Sequence, residues 1–559
     1  FSFLERKVSY PKLEKRPFAL LEKNKIHLDP NKPIHTDRYM SNEKIGIFPQ
    51  SDWEVDPNRV LSQLVVEETP LPLSGKLQAG ESLAYGASAS ITGFLHARVQ
   101  VEQTAEIYLH FDEINGGDDS HIEIDCFRNT THNIVSYRLL PGEYELTSFL
   151  PYSAKYVRIS CLSGSLEAKS FAIIALENPD VAISYSFEDE RMQKIFDAAC
   201  NTFRANAVDI LTDCPSRERA GWLCDSFFSA QAEALLTGKN LVERNFLENY
   251  ALYRPHGDVK KGMVPMCYPA DFGEDMFIPN WAMFYGIELL SYSRRSGDSE
   301  LVDLSKANLE GLLQYFEGFE NEIGLLEDLE NWVFIEWSEA NNPESIAGVN
   351  LPSNMLYASF LEAVGELLGR HELLQKADSI RAKIREIGFD GTFFADNLIR
   401  GKDGKLHPSG CISETCQYYA FFFHTASFEQ YPDLFALLRD EFGPSRDDEK
   451  QYPDVAPSNA FIGDYLRLAI LLEAGYPEKV IEEAVAFFLP MAEQTGTLWE
   501  HSFAYGSLNH GFASYITVLL FKAITCEFGD YAYPYAYSFD LPREDGFLHL
   551  SSDGKAEKR

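Results

Sequence analysis

Apolar and polar residues alternate along roughly the first 180 positions, the period expected of half-buried strands. Ala97, Val99 and Val101 alternate with Arg98, Gln100 and Glu102, and Ile107, Leu109 and Phe111 keep the same period. The run Tyr156-Val-Arg-Ile-Ser-Cys161 repeats it, and turn residues such as Asn115-Gly-Gly117 and Pro141-Gly142 punctuate the pattern. Short alternating runs between turn signals predict a β-sandwich, with room for part of a second one in the Pro-rich first 80 residues.

From Phe187 the period changes to that of a helix. Met192, Ile195, Phe196, Ala199, Phe203 and Ala207 form one apolar stripe. Tyr357, Phe360, Leu361, Val364 and Leu368 form another, and Leu373, Ala377, Ile380 and Ile384 a third, with Gly369 between them as a stop signal. Ile481, Ala484, Val485 and Phe488 continue the pattern. At ~11–12 residues per helix plus connections, residues 184–528 hold about a dozen helices. The pattern fits a closed ring of helix pairs and an open solenoid equally. After Phe528 the chain turns Tyr- and Pro-rich (Tyr531-Ala-Tyr-Pro-Tyr-Ala-Tyr537), and the roughly 30 remaining residues are too few for a sandwich. The reading is therefore a β region over 1–183, a helical domain over 184–528, and a tail or remnant of a β domain over 529–559. A chain of 559 residues is too long for one ordinary core.

Charge narrows the partners. The 49 Lys and Arg against 85 Asp and Glu leave a net charge of −36, and no dense basic cluster offers itself to nucleic acid. No apolar run approaches the ~20 residues of a membrane span. No signal peptide is visible and the chain begins at Phe1, so a leader was either cleaved or never cloned. This predicts a soluble protein, periplasmic or secreted ahead of cytoplasmic. The nine cysteines lack the spacing of a disulfide scaffold or a zinc site and read as buried thiols. No metal and no cofactor is expected. Asp112-Glu113 and Asp118-Asp119 supply hard oxygen ligands that suit calcium, but such acidic turns are more simply solvated.

The densest chemistry is Asp213-Cys-Pro-Ser-Arg-Glu-Arg-Ala-Gly-Trp-Leu-Cys-Asp225, with three carboxylates, two arginines and a tryptophan in thirteen residues. Arginines hold neighbouring carboxylates ionised, while burial keeps a carboxyl protonated. A surface salt-bridge loop has the same composition, but Pro215 and Trp222 favour a shaped, partly desolvated pocket.

This segment resembles the signature of family 78 glycoside hydrolases, the α-L-rhamnosidases: Asp-Cys-Pro-x-Arg-Asp-Glu-Arg-x-Gly-Trp, with an Asp three residues on. Asp213-Cys214-Pro215, Arg217, Glu218-Arg219, Gly221-Trp222 and Asp225 match it, with one residue missing between Arg217 and Glu218. Aligned from Gly221-Trp222, Glu218 takes the place of the family's catalytic acid. Thr497-Leu-Trp-Glu500 and Ser507-Leu-Asn-His510 resemble the family's Trp-Glu and Asn-His elements, which implies Glu500 as general base and His510 as a sugar ligand. Gly273-Glu274-Asp275, Pro279-Asn-Trp281, Trp332 and Glu336-Trp337 resemble its pocket segments, with Glu336 in place of the usual Asp. The resemblance implies a multidomain α and β chain, an N-terminal β-sandwich followed by an (α/α)6 toroid of six hairpins, and inversion of configuration.

Glycosidic cleavage needs one acid to protonate the leaving oxygen and one carboxylate as base or nucleophile. On this reading Glu218 is the general acid and Glu500 the general base in hydrolysis of terminal α-L-rhamnosides. Asp213, Arg217, Asp225, Glu336 and His510 bind the sugar, and Trp222, Trp281, Trp337 and Trp499 form apolar walls. Glu218 then needs burial near Trp222 and acidic neighbours to raise its pKa, with at least one of Arg217 and Arg219 turned away. The partner is a rhamnose-containing glycan or glycoside. Two other readings share the pattern: another glycosidase or a lyase on the same toroid, and a non-catalytic sugar-binding relative. Fold does not choose among them.

Overall fold

The computed structural model describes the chain apart from residues 1–5, 36–51, 118–120, 129–130, 255–258, 271–275, 445, 447–450, 526–535, 544, 554–555 and 559, and the side chains of 52–56 and 556–557. Asp118, Asp119, Glu274, Asp275, Cys526 and most of the Tyr-rich tail lie outside the described residues.

Two long strands, Glu81–Asp112 and Gly142–Glu177, organise the first part. They pair antiparallel, and shifts in register let one strand be flanked twice: Val101 opposes both Leu166 and Gly142. Lys12–Pro17 and Ala19–Leu28 join this same sheet, so among the described residues these two early strands extend it. Ala97, Val99, Val101, Ile107, Leu109 and Phe111 share one core with Val157, Ile159 and Phe171. Alternation fails at Arg158, which is buried because its guanidinium donates to Glu22 at 2.5 Å and to Ser82 at 3.0 Å. A buried charge is tolerated when it is paired in this way.

Among the described residues, twelve helices of nine residues or more follow between Glu190 and Thr525. They pack as hairpins and neighbours, for example Leu351–Leu368 on His371–Gly388 and Leu241–Leu252 on Ser299–Glu317. Glu190–Asn206, the first, packs on Pro477–Thr495 and on Ile516–Thr525. That contact closes a ring, which an open solenoid would not do. The apolar stripes all face one core, and Gly369 ends its helix at φ 67°, donating to the Gly365 and Glu366 carbonyls.

Ser184–Phe187, the strand ahead of the ring, pairs with Tyr537–Arg543 in a four-stranded antiparallel sheet completed by Gly546–Ser551 and Ala556–Lys558. Phe539 stacks edge-on against Phe187 and Phe521, which ties this sheet to both ends of the ring. Of the described cysteines only Cys411 is partly exposed; the others are buried. Among the described residues no helix is long and apolar enough to cross a membrane.

Candidate active site

The ring closes by joining two loops. The Asp213–Asp225 segment follows the first helix, and Leu498–Gly511 follows Pro477–Thr495. Gly511 N–H donates to the Asp213 carbonyl at 2.5 Å, Asn206 Nδ2 to Asn509 Oδ1 at 2.8 Å, and Leu498 N–H to Thr202 Oγ1 at 2.8 Å. Between the loops lies a cavity of about 320 Å³. It gathers Asp213, Arg217, Glu218, Trp222, Asp225, Trp281, Trp337, Glu500 and His510 from four stretches of sequence.

Arg217 sits at its centre. Nη1 donates to Glu218 Oε1 at 2.6 Å and Nη2 to Glu500 Oε2 at 3.1 Å. Arg219 points away, with Nε on the Pro215 carbonyl at 3.1 Å and its guanidinium 5.6 Å from the Tyr152 ring of the β domain. One of the two arginines is thus removed from the acids, as the charge pattern requires.

Glu500 is buried and multiply held. Trp337 Nε1 donates to Oε1 at 3.0 Å, and the Ser507 N–H to Oε2 at 3.1 Å. Burial alone would raise its pKa, but His510, Arg217 and His501 together outweigh that and hold it below the usual carboxylate value. His510 Nε2 lies 2.9 Å from Asp225 Oδ1. Burial opposes charge on this ring too, yet the bond to Asp225 and the charges of Glu500 and Asp213 push its pKa up to about 9. At neutral pH it is an imidazolium.

Asp213 behaves in the opposite way. Oδ1 accepts from Ala220 N–H at 2.9 Å, while the buried Oδ2 has no hydrogen-bond partner. Burial first, then the charge of Glu218, push its pKa well above the carboxylate range. Desolvation thus favours the neutral form of Asp213, while Glu218 keeps 26% of its side chain exposed.

Two predicted site residues do not line the cavity. Trp499 is buried behind it and donates Nε1–H to Thr495 Oγ1 at 2.8 Å, so its ring packs in the helical core. Glu336 is fully buried, accepting from Thr415 Oγ1 at 2.5 Å and from the N–H groups of Asn459, Ile462 and Gly463. Its carboxylate anchors the 459–463 backbone, whose Asn459 in turn donates to the Trp337 carbonyl at 2.8 Å. Glu336 is held by these bonds away from the cavity, and its neighbour Trp337 reaches it.

The cavity also takes Ile278, Phe334, Phe461, His501 and Tyr505, which the motifs did not indicate, along with Trp332. His501 and Tyr505 were within reach of a closer reading, since both follow Glu500 in the same short loop.

The β domain reaches this loop. Arg128 Nη1 donates to the Gly506 carbonyl at 2.8 Å, while the same guanidinium pairs with Asp112 at 2.9 Å and Glu113 at 3.3 Å. Asp112 and Glu113 thus both pair with the Arg128 guanidinium. Gly506 itself has φ 65°, and a Cβ there would lie 3.0 Å from the His501 ring and closer still to the Glu500 carboxylate.

Residues 182–413 match the family model for the bacterial α-L-rhamnosidase six-hairpin glycosidase domain. The match covers the first part of the helical ring and stops before the helix Glu414–Phe422. The helical ring and the β domain together resemble solved structures. A family 78 rhamnosidase of Bacillus sp. GL1 superposes with TM-score 0.72 at 16% identity, covering 86% of this chain and 52% of that one. A rhamnosidase from Klebsiella oxytoca with rhamnose bound gives 0.65 at 17% identity, covering 92% and 96%. The chain thus spans about half the length of the Bacillus protein and nearly all of the Klebsiella one. At these identities the superpositions establish the six-hairpin fold with its antiparallel β domain. No curated protein sequence matches.

Proposed function

We propose that this chain is an inverting α-L-rhamnosidase in which Glu218 protonates the leaving oxygen and Glu500 activates water. The observation that carries this reading is the Arg217 guanidinium held between Glu218 and Glu500. Oxygens bound to the two Nη atoms of one guanidinium are no more than about 8 Å apart, close enough to flank one glycosidic bond. The charges of His510 and Arg217 favour the ionised form of Glu500, which suits a base. Glu218, the less buried of the two acids, is placed for a departing group to leave into solvent. Protonated Asp213 is suited to donate to a sugar hydroxyl, and the Asp225–His510 pair offers a charged donor beside it. Trp222, Trp281 and Trp337 suit the methyl-bearing face of a deoxy sugar.

Hydrolysis of aryl α-L-rhamnosides, followed by ¹H NMR of the anomer first released, tests the whole reading. Free β-L-rhamnose as first product is expected. The α anomer would remove inversion, and turnover of a different glycoside alone would remove the sugar assignment. A second reading makes Asp213 the acid, because its proton is held by burial and its Oδ2 is unpaired. The variant of the true acid, Glu218→Gln or Asp213→Asn, keeps turnover of nitrophenyl rhamnoside far better than of methyl rhamnoside. The other variant loses both alike.

A further inference from the structure

We propose that the tip of the loop after Glu500 is an aglycone platform, built to stack a planar aromatic leaving group rather than a second sugar. The proposal rests on the rhamnosidase reading of the adjoining cavity and deepens it.

Large apolar residues left half in water are the informative exception on a soluble surface. Phe503 is 57% exposed and Tyr505 51% exposed, within three residues, and Trp337 is 39% exposed beside them. Their rings form one connected face. Phe503 and Tyr505 are stacked with centroids 6.1 Å apart and planes 29° apart. His501 lies 5.4 Å from Phe503, 5.3 Å from Tyr505 and 6.1 Å from Trp337. Tyr505 and Trp337 also line the cavity, so the platform is continuous with it.

The loop is held, so the exposure is imposed on it. Ser502 N–H donates to Asn459 Oδ1 at 3.2 Å, Glu500 N–H to the Ser507 carbonyl at 3.0 Å, and Arg128 to the Gly506 carbonyl at 2.8 Å. Rigid support of this kind presents the rings at no further ordering cost on binding.

Size and polarity identify the occupant. A cavity of about 320 Å³ is at the lower end of small-molecule sites. It encloses a sugar ring, and the rest of a glycoside must leave across the rim. A sugar in that position needs hydrogen-bond partners. The tip offers Phe503, Ala504 and Tyr505, while the Ser502 hydroxyl is already 3.3 Å from Asn459 Oδ1. One phenol beside two aromatic faces suits an aryl ring, through offset or edge-on stacking.

The test is Phe503→Ala, a change at an exposed side chain, on 4-methylumbelliferyl α-L-rhamnoside and on a rhamnosyl-glucose disaccharide. The ratio of kcat/KM for the aryl over the disaccharide substrate is expected to fall about fivefold, as for one lost stacking contact, with Phe503→Tyr restoring it. An unchanged ratio, or a larger loss on the disaccharide, overturns the platform. Free 4-methylumbelliferone, titrated by quenching of protein fluorescence, separates the two claims. Should no rhamnoside be hydrolysed, the reaction assignment fails, and weaker dye binding in Phe503→Ala still supports the platform. Equal dye binding in both proteins removes the platform while leaving the reaction standing.

Discussion

Gly506→Ala isolates what holds the catalytic base. Two costs are imposed at once. At φ 65° an L side chain enters the left-handed region, which costs about 1–2 kcal/mol. The new methyl also lies 3.1 Å from Glu500 Cδ and nearer still to Oε2, so either backbone or carboxylate must move. The Gly506–Ser507 peptide is held through both its polar groups, the carbonyl by Arg128 and the N–H by Glu500 Oε2. The carboxylate therefore turns, leaving Arg217 and Trp337. A displacement of about 1 Å at a reacting group costs on the order of a hundredfold. Expected is a roughly hundredfold fall in kcat/KM on nitrophenyl rhamnoside, with a melting temperature only a few degrees lower. Gly324→Ala is the control: φ is 81° but the space is open, so it carries the backbone strain alone and leaves the rate unchanged. Activity of Gly506→Ala within threefold of the parent would refute the reasoning, since the Glu500 carboxylate would then have no fixed place to lose.

Removing Arg128 (Arg128→Met) leaves Asp112 and Glu113 buried without their cation and costs about 3–5 kcal/mol, read as a drop in denaturant midpoint; kcat should fall with it, because the Gly506 carbonyl loses its donor. The His510 pKa is raised on folding, to about 9 from 6.5, so its contribution is complete below 6.5 and disappears as pH rises through 9. Thermal melts of the parent should therefore fall between pH 6.5 and 9, and those of His510→Gln should be flatter over that window. Glu336→Ala leaves the Asn459, Ile462 and Gly463 N–H groups without their acceptor and should raise KM through Trp337 while lowering stability, measured by steady-state kinetics beside thermal melts.

The change of period near Phe187 follows how residues are buried, because each helix buries one stripe and each strand one face; the two long strands precede it and the ring helices follow it. Gly369 was legible for the same local reason. The acids and the tryptophan of Asp213–Asp225 converge on one cavity because proline and glycine break the helix and free a short charged loop. What eluded the sequence is orientation. Glu336 and Trp499 sit beside cavity residues in the chain and face away from the cavity, Glu336 held by Thr415 and the 459–463 backbone and Trp499 by Thr495. Phe334 and Phe461 carry no mark that separates them from the 40 phenylalanines of the chain. The destination of residues 537–558 was hidden too, because pairing with Ser184–Phe187 joins stretches more than 340 positions apart.

The seam that closes the ring has a consequence for how the protein comes alive. Glu218 and Glu500 meet through Arg217 although 282 positions separate them. At ~5–20 residues per second, a ribosome delivers the second of these acids tens of seconds after the first. Helices in between can form locally and early, while the docking of Glu190–Asn206 against Pro477–Thr495 is a late, long-range event. Recovery of turnover after dilution from denaturant thus reports the last joining of the circle, and should lag behind recovery of helical dichroism.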